Sequence, residues 1–318
     1  MRYDARLLIA GVSPVGSEAH RDTMKRTVSL AAALAAGIGL GTADPAAQRA
    51  SERRVANPGE TQFELQLLRP SGGPVVPIFE GWYRNPDGTF ELSFGYFSVN
   101  TEETLEIPLG SDNFIEPAEF DGRQPTVFEP VPESDRRHWG AFTVTVPADF
   151  GSRDVVWTLH VRGQTLSVPG RLTSPAYELA GWEFPGRSSV SPLLRWTPEG
   201  AAGRGPRGIT GEARQAKVGV PLDLGAWLAR DAEAADDERP INVKWFRHQG
   251  PGEVTFAERT AVVEPAAWAQ EGGAKVATAA TFSQPGEYLL RVLAFNVIRE
   301  FEFQCCWTNG FVPVTVTP

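Results

Sequence analysis

Asn85-Pro86-Asp87-Gly88-Thr89-Phe90-Glu91-Leu92-Ser93-Phe94-Gly95-Tyr96-Phe97 decides the fold class. From Phe90 the apolar side chains fall on every second position, Phe90, Leu92, Phe94 and Tyr96, with Glu91 and Ser93 between them. Side chains of a strand alternate between its two faces, so period two marks a β-strand packed on one side. The four residues before it form a turn with a mechanism. Proline presets φ, and Asp-Gly tolerates the left-handed position. With residues 79–83 upstream, the stretch reads as a hairpin.

The same pattern recurs outward from this hairpin. Phe142, Val144 and Val146 alternate with threonines, and Val155, Trp157, Leu159 and Val161 share a parity. Residues 165–168 follow after the turn Arg162-Gly163-Gln164. No window in residues 60–172 carries a comparable 3.6-residue period, so this stretch reads as one antiparallel β domain. Residues 173–208 are rich in Ser, Pro, Gly and Arg and read as a connecting segment. Beyond them alternation returns in Val218, Val220, Leu222 and Leu224, then in Ile241, Val243 and Trp245, in Tyr288, Leu290 and Val292, and in Val312, Val314 and Val316. Residues 226–235 read as a short helical turn, and residues 231–238 as an exposed acidic loop. Short strands with turn signals at intervals of roughly ten residues argue for a sandwich.

Composition agrees. The chain has 318 residues, which suggests two domains. Its 32 glycines and 26 prolines favour turns and short strands, and 42% hydrophobic residues are too many for a disordered chain. A net charge of −9 disfavours a broad nucleic-acid-binding surface. The fold class is therefore all-β, with two β-sandwich-like domains in tandem over residues 48–172 and 209–318.

The first 47 residues read as an address. Lys25 and Arg26 precede an apolar run over residues 27–40, and the small residues Thr42, Ala43, Ala46 and Ala47 follow. That is the layout of a signal peptide with its start at Met24, and the run is too short for a transmembrane helix. The expected location is the periplasm or the cell exterior, with no transmembrane segment in the mature chain.

Two motifs in the second half carry a resemblance. Residues 241–256, Ile-Asn-Val-Lys-Trp-Phe-Arg-His-Gln-Gly-Pro-Gly-Glu-Val-Thr-Phe, and residues 281–292, Thr-Phe-Ser-Gln-Pro-Gly-Glu-Tyr-Leu-Leu-Arg-Val, stand in order at workable spacing. They resemble strands C and F of Ig-like domains of the polycystic-kidney-disease-repeat type, over about residues 209–318. The resemblance implies an Ig-like sandwich with Trp245 as the core tryptophan and Tyr288 as the corner tyrosine, bonded back to the backbone. Leu290 stands where antibody domains carry a cysteine, so their intersheet disulfide is absent. The implied role is a spacer or binding module with no ligand named. Residues 48–172 resemble only uncharacterised secreted bacterial proteins.

Chemistry-bearing groups are few. Cys305 and Cys306 are the only cysteines, and Trp307 follows them. In an exported chain the pair suits a strained vicinal disulfide that holds Trp307 as a flat contact surface. Intermolecular disulfides, a soft-metal site and two reduced, partly buried thiols remain open. Gly203-Arg-Gly-Pro-Arg-Gly208 matches a phosphate-binding pattern by letter, but it lacks the flanking strand and helix and reads as a loop. His138, His160 and His248 show no metal-ligand spacing; His160 reads as solvent-facing and His248 as part of a turn. The carboxylates at residues 102–121 read as solvated charge. Trp82 and Trp139 lie near turns and are candidate sugar-stacking residues. No catalytic set, metal site or cofactor is expected. The reading is an exported, non-enzymatic recognition, adhesion or assembly module, its partner an unknown protein or glycan of the cell envelope. The alternatives are a carbohydrate-binding accessory protein and a metal- or redox-linked protein using the cysteine pair.

Overall fold

The computed structural model describes residues 68–130, 137–179, 191–230, 239–268, 272–296 and 307–318. All belong to one compact unit, Asn57–Pro318. The signal segment, the acidic loop at 231–238, and Cys305 and Cys306 lie outside the described residues. No described helix is long and apolar enough to cross a membrane.

The fold is all-β and begins with the hairpin that the 85–97 stretch announces. Strands β1 (Val75–Arg84) and β2 (Phe90–Ser98) pair antiparallel, and β2 then pairs with β6 (His138–Val146). Short strands β3 (Leu105–Glu106) and β5 (Val127–Phe128) pair with each other. Strand β4 (Asn113–Glu116) joins β7 (Val155–Val161) and β8 (Gln164–Gly170) in a second three-stranded sheet. Arg162 and Gly163, both at positive φ, make the two-residue β7–β8 turn. The two sheets enclose Leu92, Phe94, Phe142, Val144, Trp157 and Leu159. Trp157 is fully buried, meets Phe142 edge-on at 4.9 Å, and donates its indole N–H to Asn113 Oδ1 at 3.0 Å.

The second sandwich starts earlier than its composition implies. Residues read as connecting segment form β9 (Leu193–Arg195), an edge strand paired with β12 (Leu222–Ala229). Three residues are too few to show alternation, and the surrounding prolines and glycines hide them. Strands β10 (Ile209–Thr210) and β11 (Arg214–Lys217) follow, both parallel to the last strand, β18 (Trp307–Thr317). Between them run β13 (Ile241–Gln249), β14 (Val254–Phe256), β15 (Thr260–Val263), β16 (Ala274–Phe282) and β17 (Gly286–Asn296). One sheet has the order β14-β16-β12-β9, and the other β10-β18-β17-β13-β15 with β11 also on β18. Those two sheets, face to face, are the arrangement of an Ig-like sandwich.

Two sequence expectations fail here. Residues 226–229, read as helical, continue strand β12, because Leu224, Ala226 and Leu228 all point into the core. Pairing with strands on both sides overrides the helix preference of alanine and leucine. His248, read as a turn residue, sits inside β13 and is 2% exposed.

Candidate functional site at the junction of the two sandwiches

Two irregularities in the pairing of β1, β2 and β6 place a carboxyl inside the first sandwich. Phe79 pairs with Phe94, but Gly81 pairs with Ser93, so Glu80 is an extra residue in β1. On the other side of β2, Phe94 pairs with Phe142 while Tyr96 pairs with His138, so β6 bulges opposite Gly95. Bulges re-aim side chains, and these two flank one glycine. A Cβ on Gly95 would lie 2.3 Å from Glu80 Oε1 and 2.4 Å from the His138 carbonyl. Only glycine leaves the Glu80 carboxyl its place.

Glu80 Oε2 accepts from the Gly140 N–H at 2.7 Å and the Ser93 hydroxyl at 3.0 Å, while buried Oε1 has no donor among the described residues. Burial pushes this carboxyl up to about 7, although Arg137, the Gly140 N–H, Ser93 and Arg291 all pull it down. The other end of Gly140 faces the second sandwich. Its carbonyl accepts from Arg291 Nη1 at 3.1 Å and Asn309 Nδ2 at 2.6 Å, and Asn309 Nδ2 also donates to the Pro206 carbonyl at 2.8 Å. The Arg291 guanidinium is buried, lies 4.4 Å from the Phe246 ring centre, and is lowered to about 10 by that burial.

Beside this relay the end of β13 locks onto residues 122–130. His248 Nε2 donates to the Arg123 carbonyl at 2.8 Å, and Gln249 Nε2 to the carbonyls of Gly122 and Gln124. Since a carbonyl only accepts, Nε2 carries the proton, and burial holds His248 down at about 3. His138 is likewise held at about 3 by burial, with Nε2 donating to the Pro130 carbonyl at 2.8 Å. The Glu129 carboxylate binds Lys244 at 3.0 Å and also Arg259, and its backbone N–H donates to the Tyr96 hydroxyl. Phe246, His248, Arg291 and Asn309 stand on the outer face of the β18-β17-β13 sheet, so the first sandwich covers that face.

A cleft of about 800 Å³ opens next to this seam. Glu106, Pro108 and Leu109 come to it from the first sandwich, and Gly250, Pro251 and Gln284 from the second. Arg247 pairs with Glu106 beside it, and the Tyr288 hydroxyl donates to the Gln284 carbonyl at 2.8 Å, holding that loop.

Of the residues singled out from sequence, the structure brings Trp139 and Trp307 into contact and leaves Trp82, Trp245 and Tyr288 apart from them. Trp245 is buried in the core of the second sandwich, and Tyr288 packs edge-on against Phe282. Trp82 donates its indole N–H to the Ser174 carbonyl at 3.1 Å and meets Phe90 edge-on. Trp139 lies under the Arg137 guanidinium, whose central carbon is 3.1 Å from the ring centre, and tilts against Trp307. Trp307 is 2% exposed, and its indole nitrogen would be 1.9 Å from a Cβ on Gly140. The described part of the cysteine-tryptophan motif is thus packed inward at the seam. Of the carboxylates at residues 102–121, Glu103 pairs with Arg162, and Asp121 Oδ1 accepts from the Ile115 N–H and Gln124. Among the described residues no group of three metal-ligating side chains converges.

Sequence reasoning missed Glu80, Gly140, Arg291 and Asn309. The available signal was Arg291 as the one charged residue in the otherwise apolar run Leu289-Leu290-Arg291-Val292-Leu293, on the face opposite Leu290 and Val292.

No protein-family model matches the chain, and no curated protein does. Solved structures similar to it include the D00-D0 domain of intimin, at 9% identity over 77% of this chain and 100% of that one, with a TM-score of 0.25. Domains 4 and 5 of the S-layer protein SbsC share 10% identity over 77% of this chain and 98% of theirs, with a TM-score of 0.21. The enterotoxigenic E. coli CFA/I adhesin CfaE, in a mutant form, shares 6% identity over 81% of this chain and 92% of that one, with a TM-score of 0.23. Scores this low assign no family and no activity, and the Ig-like description rests on the sheet order.

Proposed function

We propose that this chain is an exported, non-enzymatic recognition or assembly module built from two β domains that act as one rigid body. One observation carries the reading: a buried polar seam locks the sandwiches together so that loops of both line a single cleft. Desolvating Glu80 and Arg291 is expensive, and a hinge between freely moving modules has no use for it. A fixed orientation presents one composite surface to a partner. Leu109, 40% exposed at the cleft, is the apolar contact such a surface offers. Export of the mature chain from about Gln48 onward is part of the proposal, on the strength of the residue 25–47 pattern.

The test is crosslinking and capture from the native cell envelope, with Leu109→Arg in parallel. A stoichiometric partner captured by the parent chain and lost with Leu109→Arg supports the reading. Capture of nothing, or capture indifferent to Leu109, counts against it.

A further inference from the structure

The second sandwich has one sheet face covered by the first sandwich and one that is open among the described residues, and the open face carries a distinctive row. On β12 the inward positions are Leu224, Ala226 and Leu228, so Trp227 points outward and is half-buried. Its direct cross-strand neighbours are Arg195 on β9 and Lys275 on β16. Directly opposed residues project from the same face, so three adjacent strands present cation, indole and cation side by side. Neighbouring strands lie about 4.8 Å apart, which puts the two cationic backbones roughly 10 Å apart across the ring.

Three further features bear on a ligand. Gly225, the next outward position on β12, leaves its space to its neighbours: a Cβ there would lie 3.2 Å from Lys275 Cε and 3.9 Å from the indole edge. The indole therefore lies over the sheet instead of standing off it. Ala277, paired with Gly225, keeps the surface low beside it. Neither Arg195 nor Lys275 forms an ion pair among the described residues, and Lys275 rests its ammonium 5.2 Å from the indole centre. Asp223, further along the strand, is the acid on this face of β12.

We propose that the Arg195–Trp227–Lys275 row is a binding surface for an acidic saccharide. A pyranose ring presents a face of C–H groups, which suits the negative face of an indole. A uronate carboxylate beside that ring meets the Arg195 fork on one side or the Lys275 ammonium on the other. Lys275 is exposed and swings from ring to carboxylate without disturbing the fold. The chain as a whole is acidic at −9, so attraction to a polyanion must be local, and this row supplies it. The proposal rests on the reading of the chain as a recognition module and goes beyond it by naming a surface and a ligand class.

Titration calorimetry of the full chain with oligogalacturonate, and with a neutral oligosaccharide of equal length, tests it. Saturable binding of the acidic sugar is expected, weakened on the order of tenfold or more by Trp227→Ala, a loss of about 1.4 kcal/mol. Trp227→Phe should retain most of it. Arg195→Ala and Lys275→Ala, both surface changes, should each weaken it several-fold and reduce its salt dependence. No binding of oligogalacturonate, equal binding of the neutral sugar, or binding untouched by both Trp227→Ala and the double Arg195→Ala/Lys275→Ala change overturns the proposal. If the sugar fails while envelope capture still depends on Leu109, the surface assignment is wrong and the module reading stands.

Discussion

The carbonyl of Gly140 lies 3.1 Å from Nη1 of Arg291, and the two residues belong to different sandwiches, 151 positions apart in the chain. The N–H of the same glycine binds the carboxyl of Glu80, so one residue joins a buried acid on one side to a buried guanidinium on the other. Several consequences of this arrangement can be measured.

Glu80 makes stability depend on pH in an uncommon direction. Its folded pKa, about 7, lies above the ordinary 4.5, so the native state holds a proton that the unfolded state has released between those values. Stability from this group is complete below about 4.5 and declines as pH rises to about 7. Glu80→Gln removes the dependence. Its stability relative to the parent, by urea unfolding, should improve by about 2–3 kcal/mol between pH 5 and pH 8. An unchanged difference would refute the burial argument.

His138 and His248 act in the opposite sense. Both are neutral in the fold, with values near 3 against an ordinary 6.5, so the unfolded chain takes up protons first as pH falls below 6.5. Each removes about 1.4 kcal/mol per pH unit below that point, against a gain of similar size from Glu80. Two histidines outweigh one carboxyl. Unfolding free energy should therefore peak near pH 6.5, and His248→Gln should flatten the acid limb.

Gly140 cannot be replaced without moving its neighbours. It has φ +50°, and a Cβ would meet the Trp307 indole, which is itself buried. Gly140→Ala should cost about 2 kcal/mol or more, with a changed near-ultraviolet spectrum as Trp307 and Trp139 shift. Gly88, whose added Cβ would meet nothing within 4 Å, is the control, although its φ of +87° carries a backbone penalty of its own.

Tyr288 ties its own loop to the edge of the cleft. Its hydroxyl donates to the Gln284 carbonyl at 2.8 Å, so Tyr288→Phe should lower stability by about 1 kcal/mol. A melting midpoint within error of the parent would mean that the bond contributes nothing.

Much of the architecture was legible because β-strands write themselves locally. The alternation in Phe90, Leu92, Phe94 and Tyr96, and in Ile241, Val243 and Trp245, depends only on a pleated backbone with one face in a core. Turn chemistry such as Asn85-Pro86-Asp87-Gly88 is equally local. Where the local signal was short or mixed it failed: β9 has three residues, and the alanines of β12 mimic a helix. Alternation also left open what lies against the second face of a strand. Glu91 and Ser93 stand opposite the apolar row of β2 as expected, yet both are fully buried.

The sequence by itself determined the strand pattern and the all-β class, including the shared parity of Ile241, Val243 and Trp245 and of Tyr288, Leu290 and Val292. Each of these follows from neighbours within a few residues. The junction was decided only by the tertiary structure. Glu80, Gly95, Gly140, Arg291 and Asn309 carry no spacing that links them, because their meeting depends on two bulges and on one sandwich covering a sheet of the other. The Arg195–Trp227–Lys275 row is hidden in the same way, since cross-strand register, not order along the chain, makes those three residues neighbours.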